Sequence, residues 1–142
     1  MKNAIWLGTL LTLLSLPLPA LAGQLQATLY KNPHCSCCEA YADYLRENGF
    51  DVDVKTTDTL EEITLKAGVP EQLEGCHTMF VDGYVVVAAD VVKKLSTERP
   101  PIVGIAIPGM PSGVPGMGGQ KAGPVSIYAV SKDKAPTVYA VE

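Results

Sequence analysis

The sequence predicts an α/β domain built on a mixed β-sheet flanked by helices, and three observations predict it. Segments in which apolar and polar residues alternate are interleaved with segments whose apolar residues recur three and four apart, the periods of strand and helix respectively. Asp82-Gly83 stands between two apolar runs, a strong hairpin signal. Hydrophobic residues make up 47% of the 142, enough for the core of one domain of ordinary size.

The elements follow in order. Leu25 to Tyr30 alternates as a half-buried strand does, and Asn32-Pro33 breaks it. From Ser36 to Glu47 the apolar residues Ala40, Tyr41, Tyr44 and Leu45 keep helical spacing, and Asn48-Gly49 supplies the stop. Phe50 to Val54 alternates again, and Thr59 to Ala67 reads as helix. Met79 to Val81 and Tyr84 to Ala88 flank the hairpin turn, and a short helix fits Asp90 to Leu95. Strand, helix, strand, helix, hairpin, helix is the thioredoxin-like order, with a right-handed crossover around the first helix. The same elements in another spatial order would make a generic α/β sandwich. Beyond Pro100 the composition changes: residues 108–124 hold six of the 13 glycines, four of the 11 prolines and two of the four methionines. Such a segment is neither regular helix nor strand, and it reads equally as a linker or as a functional Gly/Pro/Met-rich loop. Val125 to Val130 and Thr137 to Val141 close the chain as a C-terminal β-hairpin.

Residues 1–22 have the form of a secretory signal peptide. Lys2 lies near the amino terminus, an apolar run spans Ala4 to Leu16, and Ala20-Leu21-Ala22 has cleavage-site spacing. Pro17 and Pro19 cut the run short of the roughly 20 residues that a spanning helix needs. Cleavage after Ala22 leaves residues 23–142 as a single exported domain with no membrane segment, destined for the periplasm in a Gram-negative cell. With 11 basic against 15 acidic residues and a net charge of -4, no basic stripe exists to neutralise phosphates, which argues against nucleic acid as a partner.

All four cysteines and both histidines fall in two short loops, His34-Cys35-Ser36-Cys37-Cys38 and Cys76-His77. An exported disulfide scaffold spreads its cysteines to staple distant segments, so this clustering favours a site over a scaffold. Adjacent Cys37 and Cys38 close only a strained ring, and Cys35 with Cys37 is hardly better. The workable pairing, Cys35 with Cys38 and Cys37 with Cys76 or its crossed equivalent, needs Cys76 close to the first cluster. A metal site makes the same demand. In a thioredoxin-like fold the CxxC pair opens the first helix and faces the loop before the third strand, where a cis-proline usually stands. Here that loop is Cys76-His77-Thr78, whose thiol and imidazole add donors and point from disulfide exchange toward metal capture. At the helix N-terminus the dipole favours thiolate, which serves a metal site and a redox site alike.

Ligand chemistry separates the candidates. Four thiolates around one Zn²⁺ leave excess negative charge, whereas thiolates bridging several Cu⁺ ions approach neutrality, and sulfur with imidazole suits Cu(I). Zinc remains the alternative, because C-x-x-C is a usual zinc half-site; export as an unfolded chain weighs against an iron–sulfur cluster. His34 and His77 each adjoin a cysteine and are candidate ligands, against the plainer readings of a solvated loop residue and a buried hydrogen-bonding group. Met79 enters an apolar strand and reads as core. Met110 and Met117 sit beside glycine and proline where no period explains them, and thioether sulfur is a Cu(I) ligand. Ser36, Glu39 and Asp43 form no triad pattern, and no glycine-rich loop has the spacing of a phosphate cradle. A binding and redox protein is favoured over a turnover enzyme. The rival reading is a thiol–disulfide oxidoreductase using Cys35 and Cys38, and a zinc-stabilised interaction module is the third.

His34-Cys35-Ser36-Cys37-Cys38, Gly75-Cys76-His77-Thr78 and the Pro-Gly-Met stretch from Pro108 to Met117, taken in order, closely resemble the CopG family of bacterial exported copper-resistance proteins. The resemblance covers nearly all of residues 23–142. It implies a thioredoxin-like fold in which Cys35, Cys37, Cys38 and Cys76 bridge a polynuclear copper cluster with histidine helping. It also implies a role in copper tolerance, with Cu(I)/Cu(II) cycling as a candidate extension and other periplasmic copper-handling proteins as candidate partners.

Overall fold

The computed structural model describes residues 23–87 and 91–142. The expected signal peptide, residues 1–22, and the end of the second hairpin strand at Ala88 lie outside the described residues, as does the expected start of the last helix at Asp90.

Among the described residues the elements are β1 (Leu25–Lys31), α1 (Ser36–Glu47), β2 (Phe50–Thr56), α2 (Leu60–Lys66), a 3₁₀ turn (Glu71–Leu73), β3 (His77–Val81), β4 (Tyr84–Val87), α3 (Val92–Glu98), β5 (Gly104–Ala106), β6 (Ser126–Val130) and β7 (Thr137–Val141). They form an α/β structure around a mixed seven-stranded sheet of order β2-β1-β3-β4-β5-β6-β7. Strands β1 and β2 are parallel, as are β4 and β5; the other neighbouring pairs are antiparallel. No helix among the described residues is long and apolar enough to cross a membrane.

Helix α1 buries Cys38, Tyr41, Ala42 and Leu45, a stripe at i, i+3, i+4 and i+7. The stripe is rotated from the expected one: Ala40 faces solvent and Tyr44 is half-buried, because Cys38 counts as apolar surface and turns the helix toward itself. Asn48 ends the helix by returning its side-chain amide to the Tyr44 carbonyl at 2.8 Å, and Gly49 takes the left-handed conformation that the exit requires. This face packs with α3 onto Ala27, Leu29, Met79, Val81, Val86 and Ile105 of the sheet. Each fully buried Leu or Ile contributes about 1.5–3 kcal/mol. Met79 is wholly core, as its place in an apolar strand predicts. The opposite face of the sheet carries a smaller cluster of Val69, Leu73, Val85, Val87, Ala106 and Val130. There the Thr64 and Thr78 hydroxyls hydrogen-bond each other and tie α2 to β3.

Four features depart from the sequence expectation. Strand β3 begins at His77, not Met79, so His77 and Thr78 belong to the strand and only Cys76 stays in the loop before it. The last helix runs from Val92 to Glu98, displaced toward the C-terminus. Strand β5 appears where no strand pattern was visible, and it joins the closing hairpin to the rest of the sheet. Residues 108–124 are packed: Val114 is buried in the main core and Met117 is half-buried against it. A Cβ on Gly116, which has a positive φ, would lie 2.6 Å from the Cys37 carbonyl oxygen and 2.8 Å from Tyr41 Cβ, so only glycine permits the loop to lie this close on the first turns of α1.

Candidate metal centre

Two chain reversals bring the soft residues together. Strands β1 and β3 are antiparallel neighbours with Lys31 opposite His77, so the end of β1 and the start of β3 meet at one edge of the sheet. Asn32 joins the loops beyond them: its N–H donates to the Cys76 carbonyl at 3.3 Å, and its own carbonyl accepts from the Cys35 N–H at 3.2 Å. Cys35 then caps α1, with Cys37 and Cys38 in the first turn. The four Sγ atoms of Cys35, Cys37, Cys38 and Cys76 all lie within 4.8 Å of one another.

Within that group Cys35 and Cys38 form a disulfide, with Cα atoms 5.4 Å apart, while Cys37 and Cys76 are free thiols. Of the pairings open to the sequence, one bond of the first scheme is therefore made and the other is not. Cys37 Sγ is 3.2 Å from Cys35 Sγ and 3.6 Å from Cys76 Sγ, and Cys38 Sγ is 3.4 Å from Cys76 Sγ. Both bonded residues are buried, Cys35 8% exposed and Cys38 0%, and of the two only Cys35 lines a groove. A groove of about 390 Å³, lined by residues 32–37 and Cys76, opens on Cys35 and Cys37. Burial, and then the neighbouring Cys37, push the Cys76 thiol up to about 11, opposite to the acidic character that the helix terminus favours for the first cluster.

The two histidines part company. His34 is exposed on the rim of the groove, the position of the plainer reading. His77 is fully buried, stacked on Tyr41 at 4.8 Å between ring centroids, with Nδ1 4.0 Å from Cys76 Sγ and Nε2 without a hydrogen-bond partner. The four sulfurs form the close-set donor group, and the buried His77 imidazole borders it through Nδ1 beside Cys76 alone, with its unpartnered Nε2 left as a further donor for a soft metal. Met110 Sδ lies 3.6 Å from a Cβ built on Gly75, the residue before Cys76, and Met117 is half-buried against the main core. Sequence reasoning missed two contributors. Lys31 is buried beside the start of α1 and paired with Glu39 at 3.1 Å, and Asn32 clamps the two loops. The only signal for Lys31 was its place at the end of an alternating strand, and for Asn32 its place before Pro33.

Burial holds His77 neutral by lowering its pKa from 6.5 to about 4. The unfolded chain takes up this proton near pH 6.5 and the folded chain only near pH 4, so metal-free protein is expected to lose about 3 kcal/mol of stability as pH falls through that window. Urea unfolding at pH 7 and pH 4.5 checks this. His77→Leu should remove most of the difference between the two pH values, and an unchanged difference in that variant would show that other groups carry it.

Residues 73–117 match the family described as a protein of unknown function, DUF411, a span that holds Cys76, His77, Met110 and Met117. No curated protein matches the chain. Two solved structures described as copper resistance protein CopG are similar along most of it. Form 1 is 31% identical with a TM-score of 0.76, covering 84% of this chain and 98% of that one. Form 2 is 29% identical with a TM-score of 0.75, covering 83% and 98%. The chain belongs to the CopG family. The four-cysteine cluster, able to hold a metal, lies within the residues whose motifs carry the resemblance to CopG.

Proposed function

We propose that this chain is a copper-tolerance protein that holds Cu(I) in a cysteine-bridged, polynuclear site and cycles it between Cu(I) and Cu(II). Cys35, Cys37, Cys38 and Cys76 are the bridging ligands, His77 is the imidazole ligand, and Met110, Met117 and His34 lie outside the bridging set. The observation that carries this reading is the meeting of four sulfurs from loops 38 residues apart in sequence. Adjacent and near-adjacent cysteines bridge several monovalent ions more readily than they wrap one tetrahedral ion, and thiolate softness selects Cu(I) over zinc. The relatives described as copper resistance proteins support the choice of metal. We read β1 to α3 as a thioredoxin-like unit whose CxxC position has become part of a metal site. Residues 1–22 export the chain to the periplasm, where copper-handling proteins are its partners.

The experiment is copper per chain after anaerobic reconstitution of fully reduced protein. More than one equivalent, retained against zinc, is expected; less than about one equivalent would refute the reading. A second reading, a thiol–disulfide oxidoreductase, draws on the Cys35–Cys38 disulfide and on the groove that Cys35 lines. It predicts turnover of a disulfide substrate by metal-free protein, abolished by Cys35→Ser and indifferent to His77→Ala.

A further inference from the structure

The structure shows the sulfur cluster half closed. Two of the four sulfurs are bonded to each other and have no thiolate to offer a metal, and the other two are thiols. Of the two bonded residues only Cys35 meets a groove: it is buried but lines the groove formed by residues 32–37 and Cys76, whereas Cys38 is wholly buried and does not line it. We propose that the Cys35–Cys38 disulfide is a redox gate on copper loading, opened by a dithiol reductant that enters this groove and attacks Cys35. The inference rests on the copper reading above and adds the state that precedes loading and the chemistry of the partner that ends it.

The electrons balance as follows. A thiolate of the reductant attacks Cys35 Sγ, the Cys35–Cys38 bond breaks, and Cys38 leaves as a thiolate in the first turn of α1, where the helix N-terminus stabilises it until it takes up a proton. The reductant's second thiolate then attacks its own sulfur in the mixed disulfide and releases Cys35. Two electrons and two protons pass to the chain, and the reductant departs as a disulfide.

The second step is why the reductant must be a dithiol. After the first attack Cys38 is held beside the mixed disulfide and re-attacks it, expelling a monothiol and restoring the closed state. A second thiol tethered to the attacking one competes at the high effective concentration of an intramolecular group, whereas a second monothiol must arrive from solution. Cys37, though 3.2 Å from Cys35, is a poor resolving thiol because the ring joining Cys35 to Cys37 is strained.

The test uses one chain in two states, so no variant's folding enters. Protein oxidised in air and freed of reductant should show two free thiols, and protein reduced by dithiothreitol and desalted anaerobically should show four. Cu(I) capacity, read by competition with a chromophoric chelator, should be at least about twofold higher in the reduced state. Equal capacities would overturn the gate and leave the copper reading standing. A reduced protein that binds no Cu(I) would overturn the copper reading, and the gate with it. At equal thiol concentration glutathione should open at least about tenfold fewer chains than dithiothreitol, and parity would overturn the dithiol requirement. A CxxC protein dithiol faster than dithiothreitol at equal concentration assigns the partner to a protein, and an equal rate assigns it to a small dithiol. Acid quench of the glutathione reaction, maleimide labelling after denaturation and mass mapping should find glutathione on Cys35 and maleimide on Cys38. Glutathione on Cys38 would overturn the entry point.

Discussion

Cys76→Ser is expected to lower the affinity of the fully reduced protein for Cu(I) by at least about a hundredfold. Loss of a partner that merely orients a metal ligand costs 10–100-fold, and here the ligand itself is lost. Cys76 is the single sulfur supplied by the β3 side of the cluster, 3.6 Å from Cys37 and 3.4 Å from Cys38, so its removal leaves three sulfurs crowded on one end of α1 with no sulfur facing them and only the His77 imidazole on that side. A serine hydroxyl fills nearly the same space with a hard oxygen that Cu(I) does not favour. Cys76 is half-buried at the edge of the main core and serine nearly matches its volume, so the variant should fold and show an unchanged far-ultraviolet spectrum. Competition titration of the reduced variant gives the answer. Affinity within about threefold of the parent would mean that the α1 trio binds copper alone and that the convergence of the two loops is incidental.

How much of this was legible in the sequence differs from element to element for physical reasons. Helix α1 was readable to the residue, because a twelve-residue segment shows its period and Asn48-Gly49 states its end. Strands β3 and β4 were readable because Asp82-Gly83 demands two positive φ values, and the structure has them. The location of the candidate site was readable because every soft side chain but the methionines falls in two short stretches of sequence, which the structure turns into a helix start and a strand start. Its internal state was not: whether Cys35 bonds Cys38 or stays a thiolate depends on distances and on redox conditions, neither of which is encoded in spacing. His77 could be named as a candidate, but its complete burial against Tyr41 follows from the β1–β3 register, a property of pairing and not of any local pattern. The Gly/Pro/Met segment gave no sign of its docking on α1, since a glycine needed for close approach and a glycine in a spacer are the same letter.

Strand β5 was the least legible element, and Gly104→Ala is expected to destabilise the protein by about 3 kcal/mol or more, among the larger effects that one added methyl produces. Three residues cannot display a period of two, and a glycine at the head of the strand reads as a turn. In the structure that glycine is what allows the strand to exist. It stands opposite Val85 in the parallel β4–β5 pair, and a Cβ there would overlap the Val85 carbonyl group, which is backbone and cannot rotate aside. Relief requires β5 to move away from β4, which breaks the hydrogen bond from the Val85 N–H to the Val103 carbonyl and unseats Ile105 and Ile107 from the main core. Because β5 also carries β6 and leads into the loop on α1, the damage spreads to the closing hairpin. It should stop short of the sulfurs: β1, α1 and β3 hold all four and pair with one another without help from β5. The expected pair of results is therefore a urea midpoint far below that of the parent and a Cu(I) affinity, measured on folded reduced protein in the cold, within about tenfold of it. A stability change under about 0.5 kcal/mol would show that β5 does not lie against β4 in solution. A collapse of copper affinity in protein that is still folded would show that the loop following β5 is part of the binding site, and would move Met110 and Met117 from bystanders to ligands.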